Sequence, residues 1–410
     1  MNIWMVTNIR LDPRQAFPAS SIQNLRTAMA LASQGCRVAL WVERIAPGGL
    51  ETLPERLGSS VPAGLSFLAF ASRGPRGWKR TPFHPAWRGA LHGIAARLRA
   101  PRPDAVVSRS PLALSQLARL RFLAPGAARI LEYQYPEYML LWRGWRKKNP
   151  GAALAQCRAR MREFRERERL GLRAAHGALW AGPGHPALLR RLGFSGPSGP
   201  LPSACLNPEE KPAASDRAEF DLGYVGALAP ENGLETLLRA AARIPEAALL
   251  VLGGGKADYA ARLRSLAAEL GLAQRVRFEP PVEFAEVRRW MRRCRVGVAP
   301  LSRRQGPEKR QYASPLKWIE WLAAGVAVIA GAAPCIAAQA RNGIDTLLAR
   351  PDDDGALAEA ARQALSDDAL RQRLAENGLA RAREYTYEAR ARRIAAFADA
   401  LRAAQRDYRP

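Results

Sequence analysis

Cysteine, histidine and lysine are all scarce in this 410-residue chain. The five cysteines (Cys36, Cys157, Cys205, Cys294, Cys335) form no CxxC pair and no Cys/His cluster. That excludes a disulfide frame and a sequence-local zinc site, and an odd, sparse set reads as reduced, buried thiols of a cytosolic protein. The four histidines (His84, His92, His176, His185) fall in unrelated contexts, none paired with a Cys or Ser in a triad pattern. Only seven of the 63 basic residues are Lys. An Arg- and Ala-heavy composition is the pattern of a GC-rich genome, which leaves mutational bias as the alternative source of part of the basic excess. Long apolar runs are also lacking. Only Trp321 to Ala340 is uncharged for 20 residues, nominally a bilayer span. Its Gly, Ala and Pro334 read instead as helix end, turn at Gly325, strand and loop. The N-terminal MNIWMVTNIR shows a strand pattern and no basic, apolar and small-residue signal sequence. Gly253-Gly254-Gly255-Lys256 lacks the Walker spacing. Asp352-Asp353-Asp354 resembles a metal-binding triplet, but after Pro351 and before Gly355-Ala356-Leu357 it reads as a helix cap.

Acidic residues are what the first half lacks. Residues 1–200 hold 31 basic and 10 acidic residues, and residues 201–410 hold 32 and 27. The first half therefore carries nearly all of the +26 charge and is the half expected to meet an anionic partner. Two segments concentrate it. Ser72–Pro103 has Arg73, Arg76, Lys79, Arg80, Arg88, Arg97, Arg99 and Arg102 without an acid, interleaved with Trp78, Phe83 and Trp87. Tyr138–Arg173 has Trp142 and Trp145 beside Arg143, Arg146, Lys147 and Lys148, then an Arg-rich helix. Aromatics among cations suit an anionic bilayer interface or stacked nucleic acid. A plainly solvated helix face, with Glu163, Glu166 and Glu168 in intrahelical pairs, is the alternative.

Apolar runs alternate with helical periods along most of the chain. Expected strands are Asn2–Val6, Arg37–Val42, Ser66–Ala69, Ala105–Ser108, Arg129–Glu132, Gly177–Trp180, Asp221–Val225, Ala248–Leu252, Arg275–Phe278, Val296–Ala299, Val326–Ala330 and Thr346–Ala349. Amphipathic segments such as Ser21–Gly35, Leu234–Ile244, Ala257–Leu270 and Ala285–Arg293 lie between them. This βαβα rhythm predicts an α/β protein of doubly wound parallel sheets. The Pro-, Gly- and Ser-rich stretch 194–220 reads as a linker. It divides an N-terminal Rossmann-like domain (1–205) from a second (206–385). A C-terminal helix (386–410) is expected to pack back on the first. Two such sheets bind ligands outside the carboxyl ends of their strands, across a central cleft.

Lys309–Ala330, KRQYASPLKWIEWLAAGVAVIA, is the most informative run. Ser314 followed by Pro315 reads as an N-cap and first helical residue. Helix N-terminal N–H groups and dipole make an anion site, and Glu320, nearly two turns on, has the spacing to accept from a ribose diol. An ordinary capped helix with an exposed Glu is the alternative.

This run, SPLKxxExxAAGxxVIA, resembles the donor-site signature of retaining glycosyltransferases of family 4, which have the GT-B fold of two Rossmann-like domains. Tyr224-Val225-Gly226-Ala227-Leu228, Asn232-Gly233-Leu234, Leu250 to Gly255, Val276-Arg277-Phe278, Val282, Val298 to Leu301 and Pro351-Asp352-Asp353 follow in the family's order. The resemblance covers about residues 220–385. In the first half Phe17 to Ser21, Ser108-Arg109-Ser110-Pro111 and Leu131-Glu132-Tyr133 resemble family features more weakly.

The resemblance implies a transferase moving a sugar from a nucleotide-sugar cosubstrate, with no metal cofactor, to an anionic envelope glycan or glycolipid. It implies a cytoplasmic enzyme, peripheral on the inner face of the membrane, that needs no nucleic acid. A GT-B nucleotide-sugar epimerase and a catalytically inactive polyanion-binding protein remain alternatives. It assigns donor binding to Gly226, Ala227, Asn232, Gly253, Val282, Lys309, Arg310, Tyr312, Ser314, Pro315, Leu316, Lys317 and Glu320. Arg109, Lys317 and Glu320 would act at the reacting centre, and Ala19, Ser20 and Ser21 would form the acceptor and phosphate loop. A surface arginine and a simple cap at Ser20 or Ser21 are the alternatives there. Tyr312 stands where the first glutamate of the family's E-x7-E motif would fall. Ala227 and Asn232 stand where its two phosphate-clamping cations would be, which leaves Lys317, Lys309 and Arg310 to supply that charge.

Overall fold

The structure is a computed structural model whose described residues are 1–7, 9–14, 17–69, 101–119, 124–208 and 218–407. The chain divides into two compact units, one of Met1–Pro202 with Arg390–Pro410 and one of Ser203–Ala389.

Unit 1 is built on a seven-stranded parallel sheet in the order β5-β3-β1-β6-β7-β8-β9. Its strands are β1 (Asn2–Val6), β3 (Arg37–Val42), β5 (Leu65–Ala69), β6 (Ala105–Ser108), β7 (Ala128–Tyr133), β8 (Gly177–Trp180) and β9 (Ser198–Pro200). A two-stranded parallel ribbon joins β2 (Arg10–Leu11) to β4 (Arg44–Ile45). Ile3, Trp4, Met5, Val38, Leu40, Val42, Val106 and Val107 are all buried. Such unbroken apolar runs are what a parallel sheet covered on both faces demands. The outermost strand, β9, lies inside the stretch read as a linker. Ser198, Gly199 and Pro200 are turn residues by composition, yet an edge position tolerates a proline that cannot donate to the ladder.

Unit 2 repeats the plan with six parallel strands in the order β12-β11-β10-β13-β14-β15. They are β10 (Phe220–Val225), β11 (Leu249–Leu252), β12 (Val276–Glu279), β13 (Cys294–Ala299), β14 (Ala327–Gly331) and β15 (Leu347–Ala349). Its core has two parts. One holds Leu237, Leu238, Leu263, Val296, Ile329 and Leu357, and the other holds Trp318, Ile319, Trp321, Leu322, Val328 and Ile336.

In both units the order steps outward from the first strand and reverses beside it, the doubly wound pattern. The reversal lies between β1 and β6 in unit 1 and between β10 and β13 in unit 2. Loops leaving the carboxyl ends of those four strands are where such sheets take ligands.

Several stretches singled out in the sequence have a defined structure. Trp321–Ala340 resolves into the end of the helix Leu316–Ala323, strand β14 and the short helix Pro334–Ala337. Among the described residues, no helix is long and apolar enough to cross a membrane. All five cysteines are buried free thiols. Asp353 caps the helix Asp354–Ser366, its Oδ1 accepting from Ala356 N at 2.8 Å. Among the described residues no three His, Cys, Asp or Glu side chains group as a metal site. The basic segment from Arg73 to Arg99, with Trp78, Phe83 and Trp87, lies outside the described residues, as do residues 209–217 of the expected linker.

The Arg-rich helix Leu154–Ala174 departs from the intrahelical scheme at one position. Glu163 pairs with Arg160 at 2.5 Å and Arg167 at 2.6 Å, and Glu166 with Arg169 at 3.4 Å and Arg173 at 3.5 Å. Glu168 instead turns inward, where Tyr133 Oη donates to it and the backbone N–H groups of Glu137 and Tyr138 donate at 3.0 and 2.9 Å. Burial outweighs those donors and raises its carboxyl to about 7. It thereby holds the first turn of the preceding helix, Glu137–Lys148.

Candidate functional site

In unit 2 the loops after β10 and β11 come together at glycines that admit no side chain. Gly226 follows β10 with φ 144° and Gly253 follows β11 with φ 149°. A Cβ on Gly253 would sit 1.9 Å from the Gly226 carbonyl oxygen. A Cβ on Gly226 would sit 2.4 Å from Lys317 Cε. The two loops therefore pack backbone against backbone, and the Lys317 side chain fills the space beside Gly226.

Lys317 comes from the helix Leu316–Ala323. Its Nζ donates to Asn232 Oδ1 at 3.0 Å and lies 5.8 Å from the Tyr224 ring centroid. Asn232 Nδ2 and Tyr224 Oη both donate to the Ala227 carbonyl at 2.7 Å. The ammonium thus reaches the side chain that replaces one of the expected phosphate-clamping cations. Burial, with the positive charge of Lys309, lowers the Lys317 ammonium to about 8 against the pull of Glu231. Lys309, on the helix Pro307–Tyr312, lies 3.6 Å from Glu231 Oε1. Ser302 N in turn donates to the Glu231 carbonyl at 3.1 Å, tying the β13 loop to the β10 loop.

The start of the lysine's helix differs from the reading of the sequence. The cap position is Pro315, with no side-chain cap. Ser314 is buried and its Oγ accepts from Ser203 N at 2.8 Å, so the hydroxyl is committed elsewhere. Tyr312, in place of a carboxylate, is buried as well. Glu320 is half-buried one turn beyond Lys317. Its charge adds to burial in pushing the Cys205 thiol up. Val282 packs against the core part that holds Trp318. Arg310 is half-buried on the Lys309 helix, and Leu316 opens the lysine's own helix.

Unit 1 presents a second constellation where its strand order reverses. The helix Ala19–Ser33 begins at Pro18, and neither Ser20 nor Ser21 caps it with a side chain. Ala19 and Ser20 are exposed in its first turn. Arg109, just beyond β6, donates from Nη1 to the Ser20 carbonyl at 3.3 Å. Its Nε reaches Glu132 Oε1 at 2.6 Å. It is no plain surface arginine, being 18% exposed.

Lys317, Asn232, Gly226, Ala227 and Gly253 are therefore brought together in unit 2, and Arg109 with Ser20 in unit 1. Tyr224 and Glu231 belong to the unit 2 constellation without having been singled out. Their signal was position, within the stretch that leaves the first strand of the second sheet. Glu132, which holds Arg109, is itself bound by Arg390, 258 residues away, and no local pattern joins them.

The family model described as Glycosyl transferases group 1 matches residues 219–367. Unit 2 carries a group 1 glycosyltransferase domain. The match takes in the Gly226 and Gly253 loops and the Lys317 helix of this glycosyl transferases group 1 domain. D-inositol 3-phosphate glycosyltransferase of Mycobacterium sp. (strain KMS) is 31% identical over 154 residues, 37% of this chain and 33% of that protein. The matched stretch thus spans about a third of the length of that curated relative. Sucrose-phosphate synthase from Thermosynechococcus elongatus shares the fold over 98% of this chain and 99% of its own, with TM-score 0.73 and 21% identity. Anabaena Alr3699/HepE, solved in complex with UDP-glucose, does so over 98% and 100%, with TM-score 0.69 and 17% identity. With two Rossmann-like sheets in this order, the chain around the glycosyl transferases group 1 domain has the GT-B architecture.

Proposed function

We propose that this chain transfers a sugar, with retention at the anomeric carbon, from a nucleotide-sugar donor to an anionic glycan or glycolipid of a bacterial envelope. The observation that carries the reading is Lys317 filling the space beside Gly226, with its ammonium at Asn232. A diphosphate fits backbone that no Cβ obstructs, and a partly desolvated ammonium beside it acts through a low dielectric. Lys317 neutralises the diphosphate as the glycosidic bond breaks, the usual means of stabilising a leaving group. Glu320, on the same helix, accepts from the donor ribose. A nucleotide sugar is also the ligand of the Anabaena neighbour with the same fold.

The acceptor belongs to the basic unit, where Arg109 stands at the reversal of strand order. The helix Glu137–Lys148 supports a peripheral membrane role. Trp142 and Trp145 stack there at 5.6 Å. Leu140 and Leu141 are 39% and 36% exposed, and Arg143, Arg146, Lys147 and Lys148 are exposed around them. Exposed apolar groups ringed by cations suit a surface of anionic headgroups.

A screen of nucleoside diphosphates for thermal stabilisation tests the donor assignment, because a ligand that binds only the folded state raises its stability by mass action. One base should raise Tm by several degrees, and its nucleotide sugar should then support transfer. No stabilisation by any nucleoside diphosphate at millimolar concentration would sink the assignment. Interconversion of the donor sugar without transfer would favour the epimerase.

A further inference from the structure

The anion site of unit 2 contains a carboxylate of its own. Asn232, which takes the Lys317 ammonium, closes the single helical turn Pro230–Asn232. The residue before it is Glu231, whose Oε1 lies 3.6 Å from Lys309 Nζ. Two neighbouring residues of one turn thus meet two ammonium groups from the segment after β13. The turn is fixed at three points. Asn232 N donates to the Ala229 carbonyl at 2.9 Å, and Ser302 N to the Glu231 carbonyl at 3.1 Å. Gly233 ends the turn at φ 76°, where a Cβ would stand 3.2 Å from Pro300 Cβ. Glu231 is therefore held on the lysine side by its backbone as well as by its ion pair.

A carboxylate there works against the ligand, since it repels the phosphates that the two lysines attract. An ion pair whose side chains are 40% and 37% exposed adds little to fold stability, so stability does not account for it. Its effect on Lys317 does. Burial and the charge of Lys309 push the Lys317 ammonium down to about 8, and Glu231 opposes them. Among the groups facing this ammonium from other elements, Asn232 offers a neutral oxygen. Tyr224 offers a ring whose hydroxyl burial keeps protonated, and that hydroxyl donates to the Ala227 carbonyl. Glu320 lies one turn on along the lysine's own helix.

We propose that Glu231 is a positioning residue for the two lysines: it fixes Lys309 and favours the charged state of Lys317 before the ligand arrives, and is itself repelled by the diphosphate they bind. This rests on the reading of the Gly226 edge as a diphosphate site. The balance of the two effects depends on pH. Where Lys317 is charged in any case, Glu231 only opposes the ligand. Where Lys317 is losing its proton, Glu231 sustains the charge that the ligand needs.

NMR titration of protein carrying 13C-labelled lysine reads the first effect without a ligand. The chain has seven lysines, and Lys317→Met identifies the signal. Glu231→Gln should move the Lys317 midpoint to lower pH, and Glu231→Asp, which keeps the charge, should leave it near the wild-type value. Calorimetric titration with inorganic pyrophosphate reads the second effect. The ratio of variant to wild-type affinity is the quantity to follow, since the titration of pyrophosphate itself cancels. Glu231→Gln should bind about threefold tighter than wild type at pH 6.5, the scale of one half-exposed charge interaction. That advantage should be lost or reversed by pH 9. A merely structural Glu231 would lower the melting temperature of both variants and leave the Lys317 midpoint unmoved, which overturns the proposal. A midpoint that rises, an affinity ratio that ignores pH from 6.5 to 9, or weaker binding at pH 6.5 overturns it too. Should Glu231→Gln fail to fold, Glu231→Ala is read in the same way. Wild-type protein that binds no pyrophosphate at millimolar concentration would defeat the diphosphate reading, and the NMR midpoint would still decide whether Glu231 sustains the charge on Lys317.

Discussion

Replacing Lys317 by Met keeps the length and apolar stem of the side chain and removes its charge. The stem lies over Gly226 and the ammonium sits 3.0 Å from Asn232 Oδ1, so the variant should fold with this loop intact. A phosphate oxygen about 4 Å from the ammonium would interact by at most about 4 kcal/mol at an effective dielectric of 20. Hydrogen bonds to charged groups are worth about 1.5–3 kcal/mol net. We expect a loss of about 2–3 kcal/mol, roughly 30- to 150-fold in Kd, for the preferred nucleoside diphosphate, and little change for the nucleoside. The lowered ammonium, at about 8, adds a signature in pH. Only the charged form serves an anion, so wild-type affinity should be flat below pH 8 and fall about tenfold by pH 9, while the Met variant stays flat. Stability moves the other way. The folded value lies below the ordinary 10.5, so the unfolded chain binds more protons between the two, and stability attributable to this group rises from about pH 8 to 10.5. Isothermal titration with nucleoside and nucleoside diphosphate at several pH values reads all of this. Equal losses for the two ligands, or a wild-type affinity that ignores pH from 7 to 9, would refute the reasoning.

Glu320→Ala should weaken nucleotide binding by about 1–3 kcal/mol, with nucleoside and diphosphate affected alike; unchanged nucleoside affinity would remove Glu320 from the ribose. Gly253→Ala places a Cβ 1.9 Å from the Gly226 carbonyl at φ 149°, so urea melts should show at least about 3 kcal/mol of lost stability, and a midpoint like that of wild type would contradict the packing described. Changing Arg143, Arg146, Lys147 and Lys148 to Gln should cut partitioning onto anionic vesicles at least a hundredfold, since each basic group near such a surface contributes on the order of 1 kcal/mol. Wild-type protein that sediments equally with neutral and anionic vesicles would exclude the membrane role.

The strand-helix rhythm was legible because parallel strands buried on both faces must be apolar throughout, as in residues 3–6 and Leu249–Leu252. Edge strand β9 was not, since Ser198, Gly199 and Pro200 carry no such signal. In unit 2 the helix bearing Lys317 and Glu320 was visible from its sequence, but its cap was misjudged. Ser314 is an excellent cap by type, and only the fold brings Ser203 N to its hydroxyl across 111 positions. Glu168 failed likewise. Helical spacing offers it arginine partners, and burial against Tyr133 overrides them. Lys317 and Lys309 were legible as candidate charges near the β10 loop, and the structure sets them beside Asn232 and Glu231. Their restraints in Asn232 and Glu231 required the loops to be folded.

Arg390 bears on the order in which this chain is made. Unit 1 is completed by residues emerging after the whole of unit 2, including Ala391, Ile394 and Ala398, which are fully buried. At ribosomal speeds of about 5–20 residues per second, the first sheet waits roughly ten to forty seconds for its last helix. During that interval Thr27 and the carbonyls of Leu201 and Pro202 lack their guanidinium. The nascent unit 1 is thus an unfinished surface with apolar seats open, a natural client for chaperones while the later-made domain is already able to close its core.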